Sequence, residues 1–164
     1  MSTNVRPIPE GYRSLSPALT CKNAARAIDF YKNVFGAAVH ARMEGPGGMI
    51  MHAELQIGDS RIFLNDEFPG MSEAPDPTLP ASKTGYTTFV YTEDVDSVVK
   101  RAVDGGSRLD MPVENMFWGD RYGKFTDPFG HNWGVATHVE DVSAEEMKRR
   151  TEAMSKQMAQ AAGN

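Results

Sequence analysis

The chain carries one cysteine, Cys21, among its 164 residues, so no intrachain disulfide can form. That fits a reducing compartment, and the cytoplasm is the expected location. Cys21 sits in a mostly apolar strand segment with nothing nearby that would obviously lower its pKa, and reads as a small buried hydrophobe rather than a nucleophile. No apolar run approaches membrane-spanning length, and the opening "MSTNVRPIPEGYRS" has no apolar core of the secretory kind. No membrane partner is expected. Basic charge is also short: Lys plus Arg number 17 against 22 Asp plus Glu, giving a net charge of -5. No basic stripe is visible, which excludes nucleic acid as a main partner. Hydrophobic content of 40% and charged content of 24% are ordinary for one globular domain.

What is present is a repeat. In "RSLSPALTCKNAARAIDFYKNVFGA", Ser14 to Cys21 alternates polar and apolar, which predicts a strand. Asn23 is a helix cap. Ala27, Ile28, Tyr31, Val34 and Phe35 then recur at helical spacing until Gly36 stops the run. "GYTTFVYTEDVDSVVKRAVDGGSRL" repeats the pattern about 70 residues later. Asp94 is its cap, Val95, Val98, Val99, Ala102 and Val103 its stripe, and Gly105-Gly106 its stop. Three further strand segments follow each helix. The chain therefore reads as an α+β protein of two tandem βαβββ modules, at residues 12–68 and 85–140. A Pro-rich linker spans 69–84, and a C-terminal helix spans 143–162. Ser143 and Glu146 form a capping box, and Glu145–Arg149 and Glu146–Arg150 are favourable i,i+4 pairs. Met147, Met154 and Met158 give that helix an apolar face, expected to dock on this chain or its twin; a sticky surface for another partner is the alternative.

Three segments, "AARAIDFYKNVFGA", "MHAELQIGDSRIFLND" and "FWGDRYGKFTDPFGHNW", resemble the vicinal oxygen chelate superfamily of glyoxalase I, bleomycin-resistance proteins and extradiol dioxygenases. They look most like its PhnB-like branch. The resemblance covers about residues 12 to 140. It implies cupped sheets backed by helices, two cups closing on a cavity, and a homodimer. Metal-dependent members carry His or Glu on the first and fourth strand of each module. Those positions map onto Ser16, Phe63, Tyr86 and Gly134. None is a usual ligand for a divalent ion. The expectation is a small-molecule binder without the usual metal site, of a sequestering or resistance type.

Strand alternation assigns the faces. Met51, Ala53, Leu55, Ile57, Ile62 and Leu64 belong under a helix. His52, Glu54, Gln56, Arg61, Phe63 and Asn65 then face the cup, and the repeat sends Arg121, Gly123 and Phe125 inward as well. His52 and Glu54, roughly 7 Å apart along one strand, form the best acid/base pair. They support an alternative function as a lyase or isomerase on a small oxygenated substrate. They could also hold a relocated Ni, Zn or Mn ion with His138 or Glu140. Gln56, Arg61, Phe63, Tyr86, Phe117, Trp118, Asp120 and Arg121 are the candidate ligand-binding residues, since aromatic walls with a few placed charges suit small ligands. His131 reads as a turn residue, His40 as uninformative, and Trp133 as core.

Overall fold

The structure is a computed structural model that describes residues 5–162. Strand β1 (Ala18–Cys21) leads into helix α1 (Ala24–Phe35), then β2 (Ala38–Glu44), β3 (Ile50–Ile57) and β4 (Ser60–Asp66). After the linker come β5 (Thr88–Tyr91), α2 (Val95–Asp104), β6 (Arg108–Asn115), β7 (Asp120–Thr126), β8 (Asn132–His138) and α3 (Ala144–Ala162). The helices start where local chemistry satisfies their free amides. The Asn23 side chain accepts from the Arg26 amide at 3.0 Å, and Asp94 accepts from the Ser97 amide at 3.0 Å. Each such cap stabilises its helix by about 1 kcal/mol. Gly36 closes α1 at φ 66, in the left-handed region that favours glycine.

Two four-stranded mixed sheets result, ordered β1-β4-β3-β2 and β5-β8-β7-β6. In each sheet the first strand runs parallel to the fourth, and the remaining pairs are antiparallel. Ala18 pairs with Phe63 and Phe89 with Gly134, so the two modules correspond at an offset of 71 residues on their first and fourth strands. Both helices cover one face of their own sheet, and the covered faces share a single core. Leu19, Leu55 and Leu64 from one sheet and Phe125, Trp133 and Val135 from the other belong to the same buried cluster. Helix α1 ties the modules together: Phe35 lies 4.7 Å from Trp133, and Phe30 lies 5.9 Å from Phe129. Each fully buried side chain of this size contributes roughly 1.5–3 kcal/mol.

At the centre of the junction is the buried carboxylate of Asp127. It accepts from the Tyr31 hydroxyl at 2.6 Å, the Trp133 indole at 2.8 Å, and the amides of Phe129 and His131 at 2.9 Å each. His131 reaches back to module one, its Nε2 lying 3.0 Å from the Thr20 carbonyl. A carbonyl only accepts, so Nε2 carries the proton and Nδ1 accepts from the Tyr86 hydroxyl at 3.3 Å. Cys21 is buried beside it, and burial pushes its thiol well up.

Three expectations are corrected here. Met51 is 46% exposed, and Ile50 takes the core position instead. A bulge between Met43 and Glu44 skips Met51 in the pairing, which flips the strand start. In β7, Phe125 is in the core and Arg121 reaches Asp96 on α2 at 2.6 Å, so Arg121, Gly123 and Phe125 lie on the helix side. The cup side holds Asp120, Tyr122 and Lys124. A one-residue slip in matching the repeats reverses a whole strand. In α3, Ser143 caps Glu146 as expected, but Arg149 pairs with Glu146 rather than Glu145. Arg150 anchors the helix through Glu140 at 2.6 Å and Glu146 at 2.7 Å. From Thr151 to Ala161 every residue is exposed, so Met154 and Met158 do not dock on this chain.

Tyr31→Phe strands one acceptor site on Asp127 and is expected to cost about 1–3 kcal/mol in urea unfolding. Asp127→Ala leaves four buried donors unpaired and is expected to abolish folding, given a total stability of about 5–15 kcal/mol. Burial holds His131 below its ordinary value of 6.5, with Asp127 opposing. The native state therefore resists protonation that the unfolded chain accepts. Stability from this group is intact above pH 6.5 and declines as pH falls below it. His131→Gln is expected to flatten that part of the unfolding midpoint's pH profile.

Candidate functional site

Among the described residues, the hydrogen bonds and aromatic contacts between the modules run through the helix side or the turn at His131. The opposite, open faces are not packed against each other within one chain, and the first is crossed by the segment that carries Tyr12. The two cups thus do not close on each other within one chain.

On the open face of module one, β3 and β4 place Glu54 opposite Phe63 and Gln56 opposite Arg61. His52 Nε2 lies 3.1 Å from Glu54 Oε1. The Tyr12 hydroxyl, from the segment before β1, donates to Glu54 Oε2. Arg61 donates to Gln56 Oε1 at 3.2 Å, and its guanidinium lies 4.2 Å from the centre of the Tyr12 ring. Phe63 backs His52 at 5.3 Å. Partial burial works against the Glu54 charge, but the hydrogen bonds from Tyr12 and His52 outweigh it and hold the carboxyl below its usual range. The same contact pushes the Tyr12 phenol up. Four of the six residues expected here, His52, Glu54, Arg61 and Phe63, thus meet in one cluster with Gln56 at its edge, whereas Asn65 turns to Thr20 and Ser72.

Module two presents an aromatic platform. Phe89 and Tyr122 stack at 5.5 Å with their planes 9° apart, and Tyr91 and Trp118 flank them. Asp120, 3% exposed, accepts from the Tyr91 hydroxyl and the Trp118 indole, each at 3.0 Å. Its other oxygen lies 2.8 Å from His138 Nδ1, and His138 Nε2 lies 3.0 Å from Asp141. Burial works against the Asp120 charge, yet its three partners hold the carboxyl low; the contacts with Asp141 and Asp120 raise His138. Phe117 packs edge-on against Trp118. Between the modules, a cleft of about 360 Å³ is lined by Leu15, Pro17, Ser60, Arg61, Phe89 and Tyr91, among others.

Two predicted site residues fall elsewhere. Arg121 is held by Asp96 on the helix side. Tyr86 turns to His131, and the 71-residue offset puts Thr87, not Tyr86, opposite Ser16 in the repeat. Tyr12, Phe89, Tyr91 and Tyr122 escaped sequence reasoning. Strand parity within "YTTFVY" reveals Phe89 and Tyr91 once the offset is right. Tyr12 lies in an aperiodic segment and gives no local signal.

A divalent ion does not fit the positions that metal-dependent relatives use. Phe63 and Gly134 offer no donor, and Ser16 and Thr87 offer neutral hydroxyls. At Gly134 there is also no room, because a Cβ would stand 2.8 Å from the Tyr122 hydroxyl. The relocated set is not assembled either. His138 is engaged by Asp120 and Asp141, and Glu140 by Arg150. Among the described residues no three His, Cys, Asp or Glu side chains converge as a metal site. Among them, too, no helix is long and apolar enough to cross a membrane.

Comparison with known proteins agrees with this architecture. An uncharacterized protein of Mycobacterium bovis, Mb0911c, is 38% identical over 150 residues, spanning 90% of this chain and 94% of that protein. TioX from Micromonospora superposes with a TM-score of 0.59 at 26% identity, covering 77% of this chain and 99% of its own. The PhnB protein from Bacillus cereus superposes with a TM-score of 0.59 at 14% identity, covering 76% and 99%, a likeness of fold alone. The family profile for the Glyoxalase/Bleomycin resistance protein/Dioxygenase superfamily matches residues 14–135, and the chain belongs to that superfamily.

Proposed function

We propose that this protein binds a small planar molecule on its open faces without the superfamily's usual divalent-metal site, in a sequestering or resistance-type role. One observation carries the reading. Gly134 stands at a fourth-strand ligand position, and its missing side chain is what lets Tyr122 lie flat against Phe89. A metal position has become a stacking platform. Phe89 is 47% and Tyr91 63% exposed, which leaves aromatic surface for a planar ligand. The buried Asp120 fixes the Trp118 and Tyr91 ring edges, so the platform is ordered before a ligand arrives. PhnB-like branch membership and a cytoplasmic location, where the lone Cys21 stays reduced, belong to the same reading.

The working form is a homodimer, in which the open faces of two copies complete each other. Sedimentation equilibrium is expected to give twice the 18.0 kDa chain mass. A strict monomer at micromolar concentration contradicts the dimer.

A second reading rests on the His52–Glu54 contact. There His52 Nε2 is oriented by the carboxylate, which favours a lyase or isomerase acting on a small oxygenated substrate. His52 would take a substrate proton, and Glu54 would stabilise the imidazolium so formed.

The variants Gly134→Ala and His52→Ala separate the two. Gly134→Ala displaces the Tyr122 ring and is expected to weaken ligand binding at least tenfold, about 1.4 kcal/mol, with His52→Ala within threefold of wild type. Turnover that His52→Ala abolishes, with Gly134→Ala unaffected, favours the enzyme.

A further inference from the structure

The first open face is already occupied, by this chain's own Tyr12. Residues 5–17 contain no helix or strand and run across that face. The Tyr12 amide bonds within the segment, to the Pro9 carbonyl at 3.2 Å. Among the described residues, the side-chain hydrogen bonds holding residues 5–14 to the sheet are two: Tyr12 to Glu54, and an exposed contact of Arg13 with Asp59 at 3.5 Å. The strap is therefore pinned by one phenol.

The slot around that phenol is built. Glu54 takes the hydroxyl, Arg61 lies on the ring face at 4.2 Å, Phe63 tilts against it at 6.3 Å, and His40 meets it edge-on at 6.4 Å. Arg61 shows that the fit is incomplete. Its side chain is only 10% exposed, yet its Nη1 is buried with no hydrogen-bond partner. Glu54 Oε2, 3.5 Å away, pairs with it by charge but makes no hydrogen bond to it. An unpaired buried donor costs about 1–3 kcal/mol, more for a charged group. Gly11 closes over the same guanidinium, since a Cβ there would stand 3.0 Å from Nη2.

We propose that Tyr12 is a built-in stand-in for the ligand, and that this slot takes a phenol: a hydroxylated aromatic ring whose hydroxyl donates to Glu54 and whose face lies on Arg61. The incoming phenol displaces Tyr12 and lifts residues 5–14, and a further oxygen on it meets the Arg61 Nη1 that Tyr12 leaves unpaired. The proposal rests on the small-molecule reading above and names its ligand class. It adds a competition: strap closed, or ligand bound.

The probe is p-cresol, the tyrosine side chain as a free molecule, with toluene as the control lacking a hydroxyl. By calorimetry, p-cresol is expected to bind Tyr12→Ala at least tenfold more tightly than wild type. In the wild-type chain, saturating p-cresol is expected to speed tryptic cleavage after Arg13 at least threefold, and toluene to leave it unchanged. Tyr12→Phe covers the case in which Tyr12→Ala does not fold. It keeps the ring, loses the Glu54 contact, and should be cut faster than wild type without any ligand. Equal p-cresol affinity in wild type and Tyr12→Ala overturns the proposal, as does cleavage that p-cresol and Tyr12→Phe both leave unchanged. If p-cresol binds without speeding cleavage after Arg13 and Gly134→Ala removes that binding, the strap idea fails while the aromatic platform stands. If no phenol binds at either face, both readings fall.

Discussion

The arrangement of this protein depends on the four-donor carboxylate of Asp127. It lies in the turn between β7 and β8 of the second module, and one of its donors, Tyr31, comes from the helix of the first. A buried carboxylate is tolerated only when its oxygens are filled, and here Tyr31, Trp133 and two turn amides fill them. The contact fixes α1 against both sheets. Phe35 and Phe30 then pack on Trp133 and Phe129, and the helix-covered faces become one core. Because the helix faces are consumed in joining the modules, the open faces are the ones the proposed function assigns to a ligand.

On those faces the two modules have diverged from a common plan. The strand pairings of Phe63 and Gly134 are equivalent, yet one position carries a ring and the other nothing. In module one the ring backs the His52–Glu54 contact. In module two the gap admits Tyr122 from the neighbouring strand. Neither change leaves a donor for a divalent ion, and each adds aromatic surface. A metal centre polarises a substrate oxygen, whereas in the proposed reading the stacked platform beside the buried, fully bonded Asp120 holds and orients a ligand.

The caps at Asn23 and Asp94, the glycine stop at Gly36 and the repeated helix stripe were all legible, because each is a local rule acting on adjacent residues. So was the inward cluster of His52, Glu54 and Phe63, which needs only strand alternation. The errors came where one residue of register matters. The bulge at Met51 and the true offset of 71 residues depend on pairing with another strand, which no single segment records. The first strands correspond at 71 residues, which puts Thr87 where Tyr86 was expected. Glu54 and Lys124 pair with the equivalent Phe63 and Gly134 at an offset of 70, and missing that change of one reversed β7 and hid Tyr122. Tyr12 was invisible for a different reason. Its role comes from a contact 42 residues away in sequence, made by a segment with no period of its own. The loop "FWGDR" divides accordingly: Trp118 and Asp120 face the platform, and Arg121 turns away to Asp96.

The central claim is that the open faces hold an organic ligand and need no metal. Native mass spectrometry of protein purified without chelator, with metal content measured on the same sample, tests it most directly. The account predicts less than about one metal ion per ten chains, and an organic adduct that Gly134→Ala loses. One Ni, Zn or Mn ion per chain, removed by chelator together with the bound molecule, would contradict it.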